Sequence, residues 1–331
     1  MRAVLCRSHG SPDGLVTSEV ASPSPADGEI RVRVGAAGVN FPDLLILEGK
    51  YQVRPPLPFV PGFEVAGTIM ELGAGVTGRR VGERVMALTA LGYGAFAEEA
   101  IARADEAVPV PEGVDDVTAT ALFTAYGTAY HALVDRGRLR AGETLVVLGA
   151  TGGVGLAAVD LGLALGARVI AVARSEGKLA LARDPAVRIR YRPGTLAEDI
   201  RTIAPDGADV CIDLLGGDAF DGMSRTMAWS GRLLVVGFTS GVVPKLPVNL
   251  ALLKGYALVG VYWSRFVSRE PAANARNFAT LFALLRDGKI APHVSGRYPL
   301  DRVPQALRDL ASRRTAGKLV IAVSAPGEAT L

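Results

Sequence analysis

The residues best suited to chemistry form a loop of small side chains between an apolar segment and a helical one. The apolar segment Thr144–Leu148 runs directly into the sequence GATGGVG at 149–155, and a helix-forming stretch follows. A dinucleotide-binding loop spaces its glycines so that the backbone approaches a pyrophosphate and the next helix packs closely on the strand. Gly152 and Gly155 occupy two of the three glycine positions, with Ala150 at the first. Because amide donors gather at a helix start, the spacing predicts a dinucleotide site.

Charged residues about 20 positions further on indicate which dinucleotide binds. A site for NAD usually ends its second strand on Asp or Glu, which bonds the ribose 2′-hydroxyl. Here the second apolar segment, 168–173, is followed by Arg174, and Lys178 comes four residues later. Guanidinium and ammonium groups pair with a 2′-phosphate, which a carboxylate repels. The pattern favours NADPH, while Glu176 leaves open a solvated turn whose cations bind nothing.

The part of the chain before this loop is rich in β-type sequence. Short segments separated by Gly and Pro are typical of a compact β-barrel. The predicted strands of this part are 2–6, 29–36, 64–72, 84–87 and 95–102. A proline-rich stretch at 51–62 interrupts them, and irregular stretches of this length are usually functional.

From about residue 117 onward, helices alternate with apolar strands. Apolar strands without polar alternation, joined by helices, indicate a parallel sheet covered on both faces. The predicted strands are 144–148, 168–173, 188–191, 209–214, 232–236 and 257–263. The predicted helices are 117–136, 154–165, one ending at 183, 196–203 and 218–228. The last part of the chain adds helices at 273–287 and 303–312 and a closing strand at 318–323.

Length, composition and charge exclude several classes of protein. The 331 residues suffice for about two domains, and 49% hydrophobic with 21% charged residues is ordinary globular composition. The net charge of +3 predicts no nucleic-acid partner and no anionic membrane partner. The apolar stretches 153–167 and 250–263 are shorter than the ~20 residues of a membrane span. Because the N-terminal segment has no apolar signal region, we expect a cytoplasmic protein.

Cysteine and histidine are too scarce for a disulfide framework or a closed zinc site. The chain has two cysteines, Cys6 and Cys211, and three histidines, His9, His131 and His293. A structural zinc site needs four ligands, which are usually Cys and His. Cys6 and His9 have a ligand-like spacing, but a hairpin end at the surface explains that spacing better. We expect no metal site.

Seven local sequences form a set that is specific as a whole. They are GVNFPD at 38–43, PFVPGFEVAG at 58–67, VGERV at 81–85, VPVPEG at 108–113, the segment 124–133, GATGGVG at 149–155 and RRTAGK at 313–318. Together they resemble the medium-chain dehydrogenase/reductase superfamily, and within it the zinc-independent NADPH:quinone oxidoreductase family that includes ζ-crystallin. The resemblance covers nearly the full length. It implies an α/β fold in which a GroES-like β-barrel domain, 1–120 and 261–331, contains an inserted Rossmann domain, 121–260, with a doubly wound parallel sheet that binds NADPH.

The zinc-dependent branch of that superfamily differs at positions that matter for the chemistry. It has Cys where this chain has Asn40 and His where this chain has Phe63, and it carries an additional lobe with four cysteines. A Lewis acid that lowers the pKa of an alcohol is therefore not expected here. The resemblance implies reduction of a substrate that is already electrophilic.

The resemblance also assigns roles to individual residues. It implies that Asn40 and Thr128 lie beside the nicotinamide or the substrate carbonyl. In a purely structural role Asn40 would hold the turn before Pro42, and Thr128 would bond a helix carbonyl. The implied cofactor contacts are Gly152, Gly153 and Val154 at the pyrophosphate, Arg174, Ser175, Lys178, Tyr191 and Arg313 at the 2′-phosphate, and Gly237 and Phe238 at the carboxamide. The implied substrate-pocket residues are Tyr51, Tyr262 and Trp263, although buried packing residues would look the same.

The reaction that follows is hydride transfer from NADPH to a quinone or an α,β-unsaturated carbonyl, without zinc. The nicotinamide carries the chemistry, and donors such as Asn40 or Thr128 would stabilise the charge that develops on the acceptor oxygen. No general acid emerges, so we expect protonation from solvent. Two alternatives stay open: an enoyl-thioester (enoyl-CoA) reductase, and a non-enzymatic NADPH-binding interaction protein.

The last predicted strand of the α/β part, 257–263, would form an exposed sheet edge. Such edges are usually covered, and relatives pair theirs across a two-fold axis. We therefore expect a homodimer.

Overall fold

The computed structural model describes residues 1–184 and 186–323, which form two compact units. The first unit contains Met1–Thr124, Val267–Ala275 and 292–323, and the second contains Ala125–Phe266 and Arg276–Ala291. In this division residues 276–291 belong to the second unit, whereas the sequence-based division assigns them to the returning segment. The functions assigned to the predicted domains remain predictions.

The strands of the described residues, in chain order, are β1 (Arg2–Cys6), β2 (Leu15–Glu19), β3 (Glu29–Val39), β4 (Glu64–Leu72), β5 (Arg84–Leu88), β6 (Glu99–Arg103), β7 (Val108–Pro109), β8 (Thr144–Leu148), β9 (Arg168–Ala173), β10 (Val187–Arg190), β11 (Ala208–Asp213), β12 (Met227–Val235), β13 (Ala257–Gly260), β14 (Val294–Pro299) and β15 (Lys318–Ala322). The helices are α1 (Phe41–Leu47), α2 (Asp116–Tyr130), α3 (Gly153–Ala164), α4 (Glu176–Leu179), α5 (Leu196–Ile203), α6 (Gly217–Ser224), α7 (Val248–Lys254), α8 (Trp263–Arg269), α9 (Pro271–Arg286) and α10 (Val303–Ala311). A π-helical turn, His131–Arg136, continues α2.

The first unit is organised by a mixed sheet with the strand order β14-β15-β3-β4-β5-β7, and β6 also pairs with β3. The long strand β3 alternates in burial, with Ile30, Val32 and Val34 inside, as expected for a strand with one face on a core. At its far end β3 lies between β15 and β4, both antiparallel to it. The end of β3 therefore meets the beginnings of β4 and β15, which is where the polar cluster described below is found.

The second unit contains six parallel strands in the order β10-β9-β8-β11-β12-β13. All five residues of β8 are buried, which matches the continuous apolar run of the sequence. From β8 the chain adds β9 and β10 on one side of the sheet and β11, β12 and β13 on the other side. The carboxyl ends of β8 and β11 therefore flank the crevice where doubly wound sheets bind ligands. The predicted fold class, a Rossmann sheet inserted in a second β-rich part, is confirmed.

Two predicted helices end earlier in the structure, and polar side chains explain why. The helix predicted at 218–228 ends at Ser224, because the Thr226 hydroxyl donates to the carbonyls of Gly222 and Met223 and so satisfies the helix end. The helix predicted to reach 183 ends at Leu179, whose carbonyl accepts a hydrogen bond of 2.9 Å from the Arg188 guanidinium.

A third difference concerns the last strand of the parallel sheet. The strand predicted at 257–263 ends at Gly260, and Trp263 begins α8. An apolar run of seven residues does not by itself show whether a strand continues or a helix begins. None of the helices within the described residues has the length and apolar character needed to span a bilayer.

Candidate active site

The loop after β8 has the backbone geometry that its glycines predict. Gly149 has a φ of +83°, and Gly152 precedes α3 in an extended conformation. A Cβ atom at Gly155 would lie 2.1 Å from the carbonyl oxygen of Gly149, so a larger residue would push the helix away from the strand. At Gly152 the nearest atom to such a Cβ is 3.8 Å away, which leaves the surface of the loop open.

The start of α3 offers hydrogen-bond donors that suit a diphosphate. Leu156 N donates to Gly152 O at 2.9 Å, so Gly153, Val154 and Gly155 precede the first intrahelical hydrogen bond. Amide groups at this position, together with the partial positive charge of the helix, bind anions. The residues present therefore fit the pyrophosphate of a dinucleotide.

The residues predicted for the 2′-phosphate follow β9 within one turn. Arg174 is exposed directly after the strand, and Ser175 caps α4, where its hydroxyl accepts from Lys178 N at 3.4 Å. Partial burial lowers the pKa of Lys178. The two cations and the hydroxyl thus lie at the carboxyl end of β9, as the sequence spacing predicts.

Tyr191 joins this group from the neighbouring strand. Its backbone N–H donates to Ala173 O at 2.8 Å, which places Tyr191 beside the end of β9. The side chain is buried, and burial together with the Asp218 carboxylate raises the pKa of its hydroxyl, while the charge of Arg174 opposes this shift. Sequence reasoning missed Asp218, because this exposed residue lies on α6 and no local pattern connects it with Tyr191.

Gly237 and Phe238, the predicted carboxamide contacts, are held by the loop that follows β11. Gly237 N donates to Asp213 O at 3.3 Å, and Thr239 N donates to Leu214 O at 3.1 Å. The Asp213 carboxylate is buried and accepts from two further backbone amides of the same loop, although burial raises its pKa. Asp213 was also missed, since a single acid at a strand end has no distinctive spacing.

In the first unit, Asn40 lies between two buried ionised side chains. Its amide nitrogen Nδ2 donates to Glu64 Oε2 at 2.8 Å and lies 3.3 Å from Gly38 O. Its oxygen Oδ1 accepts from Lys318 Nζ at 2.6 Å, and Lys318 Nζ also contacts Glu64 Oε2 at 2.5 Å. Glu64 Oε1 accepts from Thr124 N at 2.8 Å. Sequence reasoning missed Glu64 and Lys318; the available signal was a charged residue at the first position of a strand whose next residues are apolar.

Asp43 completes this cluster from the first turn of α1. Its Oδ2 accepts from Asn40 N at 2.7 Å, which closes the start of the helix. The carboxyl group is fully buried, and burial raises the pKa of Asp43 to about 8, against the opposing effects of the Asn40 amide and the Lys318 charge. Asp43 therefore carries a proton at neutral pH.

The remaining predicted residues lie in two different units. Thr128 is buried on α2, and Trp263 is 4% exposed and packs against Phe278 in the second unit. Tyr262 is 55% exposed in the same unit. In the first unit, Tyr51 packs against the core and Arg313 is exposed in the segment after α10. The structure brings together Arg174, Ser175, Lys178 and Tyr191. The roles assigned to all of the site residues stay predictions.

Metal-ligating side chains do not cluster in the part of the chain that the structure describes. No group of three or more His, Cys, Asp or Glu side chains there is arranged to hold a metal ion. Near Asn40 the two acidic side chains have other partners: Glu64 is paired with Lys318, and Asp43 accepts a hydrogen bond from Asn40 N at the start of α1.

Two known domain families match the chain. The alcohol dehydrogenase GroES-like domain matches residues 26–112, and the zinc-binding dehydrogenase domain matches residues 184–321. Quinone oxidoreductase-like protein 2 from Mus musculus is 35% identical over 97% of this chain and 92% of its own length.

Solved structures match over nearly the whole chain as well. A mycobacterial structure complexed with NADPH has 31% identity and a TM-score of 0.91, and it covers 98% of this chain and 100% of its own. The Escherichia coli quinone oxidoreductase complexed with NADPH has 28% identity and a TM-score of 0.90, with the same coverage.

The mixed sheet of the first unit and the Rossmann sheet of the second define an enzyme of the medium-chain dehydrogenase/reductase superfamily. Within this class, the chain belongs to the quinone oxidoreductase family. The family resemblance predicted from the seven local sequences is confirmed.

Proposed function

We propose that this protein binds NADPH and uses it to reduce a quinone or an α,β-unsaturated carbonyl, without zinc. The observation that carries the proposal is the pair of cations Arg174 and Lys178 at the carboxyl end of β9, beside a loop whose glycines fit a pyrophosphate. The NADPH complexes of two similar structures support the same choice of cofactor.

Each part of the cofactor has residues that suit it. Gly152, Gly153 and Val154 present backbone amides to the diphosphate. Arg174, Ser175, Lys178 and Tyr191 hold the 2′-phosphate through charge and hydroxyl groups. Gly237 and Phe238 hold the carboxamide through their backbone, which the loop after β11 fixes in place.

The protein side of the reaction is binding, orientation and charge stabilisation. When bound, NADPH supplies a hydride, and with one proton from solvent a quinone becomes a hydroquinone. A side-chain donor, Asn40 or Thr128, stabilises the negative charge that develops on the acceptor oxygen. Tyr51, Tyr262 and Trp263 provide apolar contacts for the acceptor.

The proposal excludes zinc on the basis of the donor set. Zinc prefers thiolate, imidazole and carboxylate ligands. Asn40 offers an amide and Phe63 a hydrocarbon ring at the two positions where the zinc-dependent branch has Cys and His, and Glu64 is already paired with Lys318.

The test is a screen of NADPH oxidation, followed at 340 nm, against quinones, enones and crotonyl-CoA. Turnover with quinones or simple enones, unchanged by a chelator, supports the proposal. Turnover confined to crotonyl-CoA would instead identify an enoyl-thioester reductase. NADPH binding without oxidation by any acceptor would identify a non-enzymatic binding protein.

We also propose that the protein forms a homodimer through the edge of the parallel sheet. In the described residues, β13 pairs with β12 on one side, and the seven-residue helix α7 has no buried residue. Large apolar side chains are exposed around this edge: Trp229, Val248, Leu252, Leu253 and Leu258. A second copy fits best, because a two-fold axis lets identical edges pair and covers both apolar surfaces at once.

A further inference from the structure

The buried ion pair between Glu64 and Lys318 calls for an explanation beyond stability. Glu64 is 0% exposed and Lys318 is 4% exposed, and they lie 2.5 Å apart. The free energy lost when two charged groups leave water often exceeds the free energy gained from their attraction. Apolar residues of similar volume at such positions therefore often give equal or greater stability. A charged pair at this position therefore points to a role in the function of its neighbours.

Asn40 is the side chain that the pair controls. Its oxygen faces the Lys318 ammonium at 2.6 Å and its nitrogen faces the Glu64 carboxylate at 2.8 Å. The opposite orientation of the amide would place an acceptor against a carboxylate and a donor against an ammonium group. The pair thus fixes which way the amide points.

The backbone around the cluster is shaped to accommodate the pair. A Cβ atom at Gly38 would lie 1.9 Å from Glu64 Oε2 and 2.9 Å from Lys318 Cε. Only glycine lets β3 approach the two charged side chains this closely. The glycine of the GVN sequence at 38–40 is thereby explained.

One hydrogen of the Asn40 amide remains weakly held. Glu64 takes the first hydrogen at 2.8 Å, whereas the second faces Gly38 O at 3.3 Å, which is beyond the usual range for an N–H···O bond. A substrate oxygen with growing negative charge competes well for this second hydrogen. The positive charge of Lys318 on the amide oxygen also polarises the group and strengthens the N–H as a donor.

We propose that Lys318 and Glu64 are positioning residues that orient and polarise the Asn40 amide toward the acceptor oxygen. The proposal rests on the proposed role of Asn40 as a donor to that oxygen. Glu64 also pairs with the Lys318 ammonium group, which would otherwise be an isolated buried charge with a large desolvation free energy.

The experiment compares Lys318→Met, the double variant Glu64→Gln/Lys318→Met and Asn40→Ala, with Lys289→Met as the control at an exposed lysine. The probes are NADPH and 1,4-naphthoquinone, and the readouts are kcat, KM, the NADPH dissociation constant and the melting temperature. We expect Lys318→Met to lower kcat about tenfold to a hundredfold, with KM and NADPH affinity within about twofold of the original.

The double variant separates positioning from stability. Lys318→Met leaves the buried Glu64 carboxylate unpaired and is expected to lower the melting temperature. Adding Glu64→Gln removes that unpaired charge and is expected to restore the melting temperature. We expect kcat to stay low in the double variant, because the amide still lacks its orienting charge. Recovery of kcat together with the melting temperature would overturn the proposal, as would an unchanged kcat in Lys318→Met.

A second comparison tests whether Lys318 acts through Asn40. In the Asn40→Ala background, Lys318→Met is expected to lower kcat no further, because the group it orients is gone. If the fold-decrease in kcat of the Asn40→Ala/Lys318→Met variant equals the product of the two single fold-decreases, the proposal is overturned, although Asn40 keeps its proposed role as a donor. If Asn40→Ala itself keeps its kcat, Asn40 is not the donor and this inference fails, while the proposed function stands. If the original protein oxidises NADPH with none of the quinones or enones, the proposed function itself fails.

Discussion

Gly155 lies so close to Gly149 that a Cβ atom on the former would be 2.1 Å from the carbonyl oxygen of the latter. This contact fixes the distance between α3 and the end of β8, and with it the position of the amides that are proposed to bind the diphosphate. The pyrophosphate loop therefore depends on a residue that need not itself touch the ligand.

Replacement of Gly155 by Ala is expected to displace the start of α3. We expect a loss of about 1–3 kcal/mol in the free energy of unfolding, as in other overpacked sites, and a weaker NADPH affinity. Urea unfolding and a fluorescence titration with NADPH measure the two effects. Gly14→Ala is the control, because nothing lies within 4 Å of a Cβ at that position and Gly14 is not one of the proposed cofactor contacts. Equal behaviour of the two variants would refute the importance of this contact.

Replacement of Asn40 by Ala is expected to lower kcat about a hundredfold, the effect typical of one lost donor to a developing oxyanion. The backbone hydrogen bond from Asn40 N to Asp43 remains available, so NADPH affinity should change little. Loss of the side-chain hydrogen bonds to Glu64 and Lys318 should lower the melting temperature. Steady-state kinetics with a quinone acceptor measure the effect. Asn277→Ala, which removes an amide that donates to Asp135, serves as the control. A kcat within twofold of the original would count against Asn40 as the donor.

Asp43 makes the free energy of unfolding depend on pH in a defined direction. Its pKa is about 8 in the folded protein and about 4 in an unfolded chain, so the folded state holds the proton more tightly. Between these two values the unfolded state ionises first, and stability falls as pH rises, by at most about 1.4 kcal/mol per pH unit.

The Asp43→Asn variant isolates this contribution. Asn is a neutral replacement for protonated Asp, so the variant should gain stability relative to the original protein from pH 5 to pH 8 and then keep a constant difference. Urea unfolding at several pH values measures this difference. A difference that does not change over the window would show that Asp43 ionises normally in the folded protein.

The exposed apolar edge of the second unit is the proposed homodimer contact, and a charge placed there should prevent dimer formation. Leu252 is 79% exposed on α7, and a glutamate there would place a charge within the proposed dimer contact. We expect light scattering to give the original protein a molar mass of two chains and the Leu252→Glu variant a molar mass of one chain. Val81→Glu, at an exposed apolar position of the first unit, should remain dimeric. A monomeric original protein would contradict the proposal.

Local patterns were sufficient for the dinucleotide loop but not for the cluster at Asn40. The apolar run Thr144–Leu148, the glycines after it and the cations after β9 are close in sequence, so their spacing predicts the fold around them. Glu64 and Lys318 are 254 positions apart and meet only because β4 and β15 both pair with β3. A contact created by sheet topology leaves no spacing that one sequence can reveal.

Ends of elements were the least predictable feature for a related reason. The helix that ends at Ser224 is terminated by Thr226, and the helix that ends at Leu179 by Arg188. In both cases a side chain bonds carbonyls at the end of the helix, while the apolar pattern continues past the boundary. Asp218 beside Tyr191 is likewise a tertiary neighbour that no local signal predicts.

The proposed function depends on NADPH binding by the second unit through the cations that follow β9. The most direct measurement is a pair of fluorescence titrations with NADPH and NADH, on the original protein and on Arg174→Ala/Lys178→Ala. We expect NADPH to bind at least about tenfold more tightly than NADH, a difference of about 1.4 kcal/mol, and the double variant to lose this preference while it keeps its affinity for NADH. Equal affinities in the original protein, or no binding of either nucleotide, would contradict the account.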